Sequence, residues 1–251
     1  MSLFNSIPAR ARRCATAIAA VLCGAATLAH AAVAKVENTM AQRVQACTGC
    51  HGAQGRAASD GYYPRIAGKP AGYLYHQLLN FRDGRRHYPL MANLLAPLSD
   101  TYLREIAEHF ANLELPYPPP QVATGGVDAL TRGELLVTRG DAALRIPACV
   151  QCHGEALMGV APAIPALLGL PRDYLNAQLG AWRTGNRHAL EPDCMAQIAQ
   201  RLAPQDITAL SQWLAAQRVP RPARPAASLP AALPMPCGSV PPGASVDAGN
   251  P

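Results

Sequence analysis

Two five-residue stretches, Cys47-Thr48-Gly49-Cys50-His51 and Cys149-Val150-Gln151-Cys152-His153, constrain this chain more than any other feature. In C-x-x-C-H, two cysteine sulfurs form thioethers with the vinyl groups of one haem, and the adjoining histidine becomes the proximal iron ligand. The two-residue spacer lets both sulfurs reach neighbouring edges of one macrocycle, and a histidine directly after the second cysteine is carried under the iron. Each copy therefore predicts one covalent haem c group, two in all. A structural zinc held by both cysteine pairs would leave the histidine unexplained twice and would have to join sites about a hundred residues apart. A thioredoxin-like pair needs a βαβ setting, and neither copy follows strand-like alternation.

Repetition extends beyond the motifs. At a shift of 101 residues, Pro64, Ile66, Gly68 and Pro70 fall on Pro165, Leu167, Gly169 and Pro171. Tyr73, Leu74, Gln77, Leu78, Phe81, Arg82, Gly84, Arg86 and His87 likewise fall on Tyr174, Leu175, Gln178, Leu179, Trp182, Arg183, Gly185, Arg187 and His188. After three extra residues in the second copy, Met91 falls on Met195, Leu98 on Leu202 and Ile106 on Leu210.

The periodicity within each half is helical. Leu74, Leu78 and Phe81, with Leu175, Leu179 and Trp182, give one apolar face to a short helix that stops near Gly84 or Gly185. A second helix is expected after each methionine, opened by Ser99 as N-cap in the first half and by Pro204 in the second. Weaker helices are expected over 37–46 and 130–139, and nothing alternates like a sheet.

The expected division is a signal peptide over 1–31, a first domain over 32–115, a Pro-rich linker over 116–125, a second domain over 126–218 and a Pro/Ala-rich tail over 219–251. Arg10, Arg12 and Arg13, a short apolar run and Ala29-His30-Ala31 describe a secretory signal with cleavage after Ala31, hence export. Removing it leaves 19 basic against 16 acidic residues, so the net charge of +6 for the whole chain is poor evidence for nucleic acid or a membrane surface. No nucleic-acid-binding motif accompanies it, and nothing later in the chain is long and apolar enough to span a bilayer. The linker Leu115-Pro116-Tyr117-Pro118-Pro119-Pro120 cannot continue a helix and reads as a semi-rigid joint. The tail reads as extended or disordered. Cys194 and Cys237 remain outside the signal and the motifs, and their pairing is left open.

What occupies the iron's other face decides between electron transfer and catalysis. Met91 lies 40 residues after His51 and Met195 lies 42 after His153, each expected in a loop between two helices. A thioether favours ferrous iron and fills the site against substrate. Packing in the core is the competing use of a methionine, and duplication at matching positions weighs against it. His87 and His188 are duplicated rivals, but Arg86 and Arg187 beside them suggest a solvated face or contacts to haem propionates. Arg82 and Arg183 are read as surface groups, with partner docking or propionates as the functional alternative.

These residues make the chain resemble the dihaem cytochromes c of the cytochrome c4 type over roughly residues 36 to 218. The resemblance rests on C-x-x-C-H, Pro-x-Ile/Leu-x-Gly, Tyr-x-x-x-Gln-Leu-x-x-Phe/Trp-Arg-x-Gly-x-Arg, the methionine and a closing helix. It implies an all-α chain of two tandem class I cytochrome c domains, each wrapped around one covalent haem. It also implies a periplasmic electron carrier rather than an enzyme. Carried over, Cys47, Cys50, Cys149 and Cys152 attach haem, His51 and His153 are proximal iron ligands, and Met91 and Met195 are distal ones. Pro64 and Pro165 match the proline whose carbonyl orients the proximal imidazole. The implied donor is a quinol-oxidising complex or a dehydrogenase, and the acceptor a terminal oxidase or reductase. Departures from the pattern are the tail with Cys237, the insertion Glu191-Pro192-Asp193-Cys194 and a scarcity of lysine. The nearest rival is a dedicated subunit of a membrane-associated dehydrogenase or oxidase, with peripheral membrane association. A dihaem peroxidase or a haem-based sensor would need an open iron site, which two matched methionines argue against.

Overall fold

The computed structural model describes residues 37–58 and 61–241, so the expected signal peptide, Cys14 and Cys23 lie outside the described residues. The elements among them are helical. The first half contains α1 (Met40–Arg43), α2 (Gln45–His51), a 3₁₀ turn (Ala53–Gly55), α3 (Ala71–Arg82), α4 (Pro89–Leu95) and α5 (Asp100–Ala111). The second contains α6 (Val127–Thr138), α7 (Cys149–His153), α8 (Arg172–Arg183), α9 (Cys194–Arg201) and α10 (Pro204–Ala216).

Local chemistry explains their ends. Pro70 and Pro171 precede α3 and α8, and Gly84 and Gly185, at φ of 79° and 74°, take the left-handed conformation that stops each helix. The Ser99 hydroxyl accepts from the Tyr102 N–H at 3.3 Å and opens α5, which buries Leu103, Ile106, Ala107 and Phe110. Each such large side chain contributes roughly 1.5–3 kcal/mol when removed from water. Pro204 opens α10 as expected.

In the first half α3 packs on α5 and α4; in the second α10 packs on α6 and α8. Helices α6 and α10 approach so closely that a side chain at Gly133 would begin 2.4 Å from the Ala209 carbonyl oxygen. Arg132 of α6 fixes the same crossing by a two-pronged bond to Asp206 of α10 at 2.9 and 3.2 Å.

Two expectations need correction. Met91 and Met195 do not lie in loops: they sit within α4 and α9. Pro89 supplies the first turn of α4, and the Asp193 carboxylate accepts the Ala196 N–H at 3.0 Å to cap α9. Second, Arg86 and Arg187 are not a solvated face. Arg187 is only 3 % exposed, and the two arginines meet where the halves join. Arg86 donates to its own half's Gln77 at 2.9 Å and to Gln178 opposite; Arg187 donates to Gln178 at 2.8 Å and to Gln77 opposite at 2.9 Å. Each guanidinium stacks on the aromatic ring of its own half, Phe81 or Trp182. Backbone bonds from His87 to Asn186 and from His188 to Arg85 continue this junction, while both histidine side chains are exposed.

The tail takes the extended one of its two expected forms, and it is packed. Leu229 is buried with Val160 and Ile164, and Leu233 and Val240 pack against them. The Ala226 N–H donates to Gly159 and the Ala161 N–H to Ala226, at 2.9 and 2.8 Å, a short strand-like pairing. Cys194 and Cys237 are joined in a disulfide, and the Gly238 N–H donates to the Pro192 carbonyl at 2.9 Å. Arg82 and Arg183 are also structural, donating to the carbonyls of Leu98 and Leu202 just before α5 and α10. The linker is pinned at both ends: Arg65 donates to the carbonyls of Leu115 and Pro116, and the Gln121 N–H donates to Ala215.

Candidate haem-binding sites

Short helices present both motifs. Cysteines three residues apart lie on one side of a helical turn, and the histidine that follows is turned inward: His51 and His153 are 8 % and 7 % exposed. Gly52 and Gly154, at φ of 74° and 81°, end α2 and α7 at once.

The two imidazoles are held alike. His51 Nδ1 lies 2.8 Å from the Pro64 carbonyl oxygen, and His153 Nδ1 lies 2.8 Å from that of Pro165. A carbonyl only accepts, so Nδ1 carries the proton and Nε2 keeps its lone pair for a metal. Burial pushes both imidazoles below their ordinary value, partly offset by these bonds, and so favours the neutral form that ligates. Burial also pushes the Cys149 thiol up to about 12 and Cys152 to about 11, so neither is a thiolate near neutrality. Among the described residues no group of three or more His, Cys, Asp or Glu side chains lies together as a metal cage.

The second half contains a largely apolar cavity of about 170 Å³. Its wall includes Cys149, Cys152, His153, Met195, Trp182 and Arg187, so proximal and distal candidates share one chamber. The donor set fits a haem with carboxylate arms. Trp182 Nε1 is buried without a partner. Lys69 and Arg187, 7 % and 3 % exposed, pair with no carboxylate among the described residues. Burial pushes Lys69 down to about 8 and Arg187 to about 10. A buried cation is costly until an anion faces it, and haem propionates would supply two. In the first half, Tyr63 lies edge-on to His51 at 6.1 Å, Cys47 packs against the core, Cys50 is exposed and Met91 is half-buried on α4.

Two contributions escaped the sequence reading. Lys69, Tyr73 and Gln77 come from the first half to line the second half's cavity. The duplicated Gln77 and Gln178 were the available signal, since a core has no use for a repeated glutamine. The tail also lines it, through Leu233, Met235 and Val240.

A family model described as cytochrome c matches residues 137–217. The thiosulfate dehydrogenase electron acceptor of Thiomonas intermedia is 39% identical over 171 residues, covering 68% of this chain and 78% of that protein. Cytochrome c4 of Pseudomonas aeruginosa is 34% identical over 170 residues, covering 67% and 82%. The crystal structure of reduced recombinant cytochrome c4 from Pseudomonas stutzeri superposes with a TM-score of 0.61 at 28% identity, covering 71% of this chain and 97% of that one. Helices without strands among the described residues, two class I cytochrome c units and C-x-x-C-H motifs that fit two covalent haem c groups all agree with these similarities.

Proposed function

The chain belongs to the cytochrome c4 family of dihaem electron-transfer cytochromes, proteins that carry electrons rather than catalyse reactions; from that premise we propose that it is a periplasmic carrier serving a dehydrogenase, with thiosulfate dehydrogenase as the leading donor. The choice of donor is supported by the name of the relative at 39% identity over most of its length. Export is supported by the signal-like segment at 1–31 and by the Cys194–Cys237 disulfide, a bond that persists in oxidising compartments.

In this reading Cys47 and Cys50 hold the first haem and Cys149 and Cys152 the second; His51 and His153 are proximal iron ligands, and Met91 and Met195 distal ones. When bound, the haem supplies a one-electron couple. The protein fixes each imidazole through Pro64 or Pro165; Met91 and Met195 would offer a thioether to the iron, and in the second half the apolar wall would keep water from it, so that little would rearrange on oxidation. The observation that carries the reading is the duplicated pairing of histidine with a proline carbonyl at 2.8 Å, next to two cysteines in each half.

The test is reduction of the oxidised holoprotein by thiosulfate plus a thiosulfate dehydrogenase, followed at the haem bands. Full reduction of both haems within the enzyme's turnover time supports this donor. No reduction there, with rapid reduction by a quinol-oxidising complex, overturns it and leaves the carrier with a quinol-linked donor.

A further inference from the structure

The two halves repeat each other, but their surfaces beside the methionine helices do not. In the first half Leu90 and Leu94, one helical turn apart on α4, are 65 % and 38 % exposed, with Tyr62 and Tyr88 in ring contact nearby. An apolar group this exposed next to a redox site marks a contact surface. The matching positions in the second half are Cys194 for Leu90, Ala163 for Tyr62 and Ile164 for Tyr63. There Cys194 is tied to Cys237, and Ile164, 6 % exposed, is covered where Leu229 and its neighbours pack on it and on Val160, while Ala163, 5 % exposed, faces Gly72 of the first half. The insertion Glu191-Pro192-Asp193 receives Gly238, so insertion, disulfide and tail act as one device. Met235 belongs to it as well, lining both the haem cavity and a surface recess bounded by Arg139, Arg145 and Arg201.

We propose that residues 226–240, held by the Cys194–Cys237 disulfide, are a cap that closes the second half's docking surface, so that a redox protein with an apolar contact face exchanges electrons at the Leu90–Leu94 surface of the first half. The tail shows what this kind of surface accepts, because an extended apolar segment already occupies the second copy of it. One electron passes per encounter from the partner's reduced centre to the first site and onward to the second; no bond forms or breaks and no proton is required. The inference rests on the two haem sites proposed above.

The test uses the oxidised holoprotein mixed with a reduced blue-copper protein that has an apolar face over its copper, with the second-order rate read by stopped flow. In the full chain, Leu90→Lys slows the rate at least tenfold. In a chain ending at Arg224, the same substitution slows it less than threefold, because the second surface is now open. A loss under twofold in the full chain, or an undiminished tenfold loss in the shortened one, overturns the cap. If shortening disturbs the second haem's spectrum, Leu229→Ser with Leu233→Ser loosens the cap in the disulfide-bonded chain, and the same comparison decides. Haem absorbance and the far-red methionine band, recorded before mixing, report separately on the underlying reading: a chain without two covalent haems contradicts that reading rather than the cap.

Discussion

Among the described residues the main packed cluster of buried apolar side chains has five members in the first half and fifteen in the second, where a tail is added beside it. Duplication kept the motif, the His–Pro bond, the arginine clamp on the closing helix and the Gln–Arg junction in both. Burial diverged: one copy keeps an exposed apolar surface, and the other is sealed by a disulfide-tied segment. The chemistry at the iron is therefore the shared part, and access to it is where the copies differ.

The largest expected effect on that contrast comes from Cys237→Ser. The disulfide spans 43 residues, and releasing a loop of that length lowers stability by up to about 4 kcal/mol. The loss should appear in thermal unfolding of the second haem's signals while the first haem's stay in place; equal loss in both would mean the halves unfold as one unit. Gly133→Val follows, at about 3 kcal/mol, because the new side chain meets the backbone of Ala209 rather than a movable group. It should lower the unfolding temperature of the second half first.

Arg187→Ala should cost about 2 kcal/mol, since it leaves two half-buried glutamine oxygens short of charged donors and removes the stack on Trp182. Arg86→Ala should cost less, its side chain being only half-buried. Comparing the two by denaturant unfolding measures how symmetric the junction is.

The smallest effect concerns pH. Burial pushes Lys69 down to about 8, so its positive charge beside the second cavity is lost as pH rises through that value. A cation near the iron favours the reduced state, so the second midpoint falls as Lys69 deprotonates, by at most about 59 mV per pH unit for a one-electron couple. Propionates facing the lysine move the window upward. Lys69→Leu should lower the second midpoint at pH 7 and flatten its pH dependence, as a spectroscopic titration would show.

Much of this was legible because it is local or duplicated. The motifs, the Ser99 cap, the glycine stops at 84 and 185 and the prolines that hold the imidazoles follow from short-range chemistry written twice. What escaped was long-range. Arg86 and Arg187 look solvated in a polar stretch, and only the meeting of the halves buries them. Met91 and Met195 read as loop residues because two turns of helix are too short to show a period, although Pro89 and Asp193 start those turns. The tail's composition says that it forms no helix, and the two spare cysteines offer a tie, but neither says that the insertion before Cys194 receives Gly238 or that Val160 and Ile164 receive Leu229.

The most direct measurement is an optical redox titration of the holoprotein isolated from an oxidising compartment, following the haem bands and the weak far-red absorption of methionine-ligated ferric haem, with carbon monoxide added to the reduced form. Two methionine-ligated haems of high potential that do not bind carbon monoxide are the expected result. A haem of low potential, or one that takes up carbon monoxide, would contradict a closed six-coordinate carrier and show that one half keeps an open iron site.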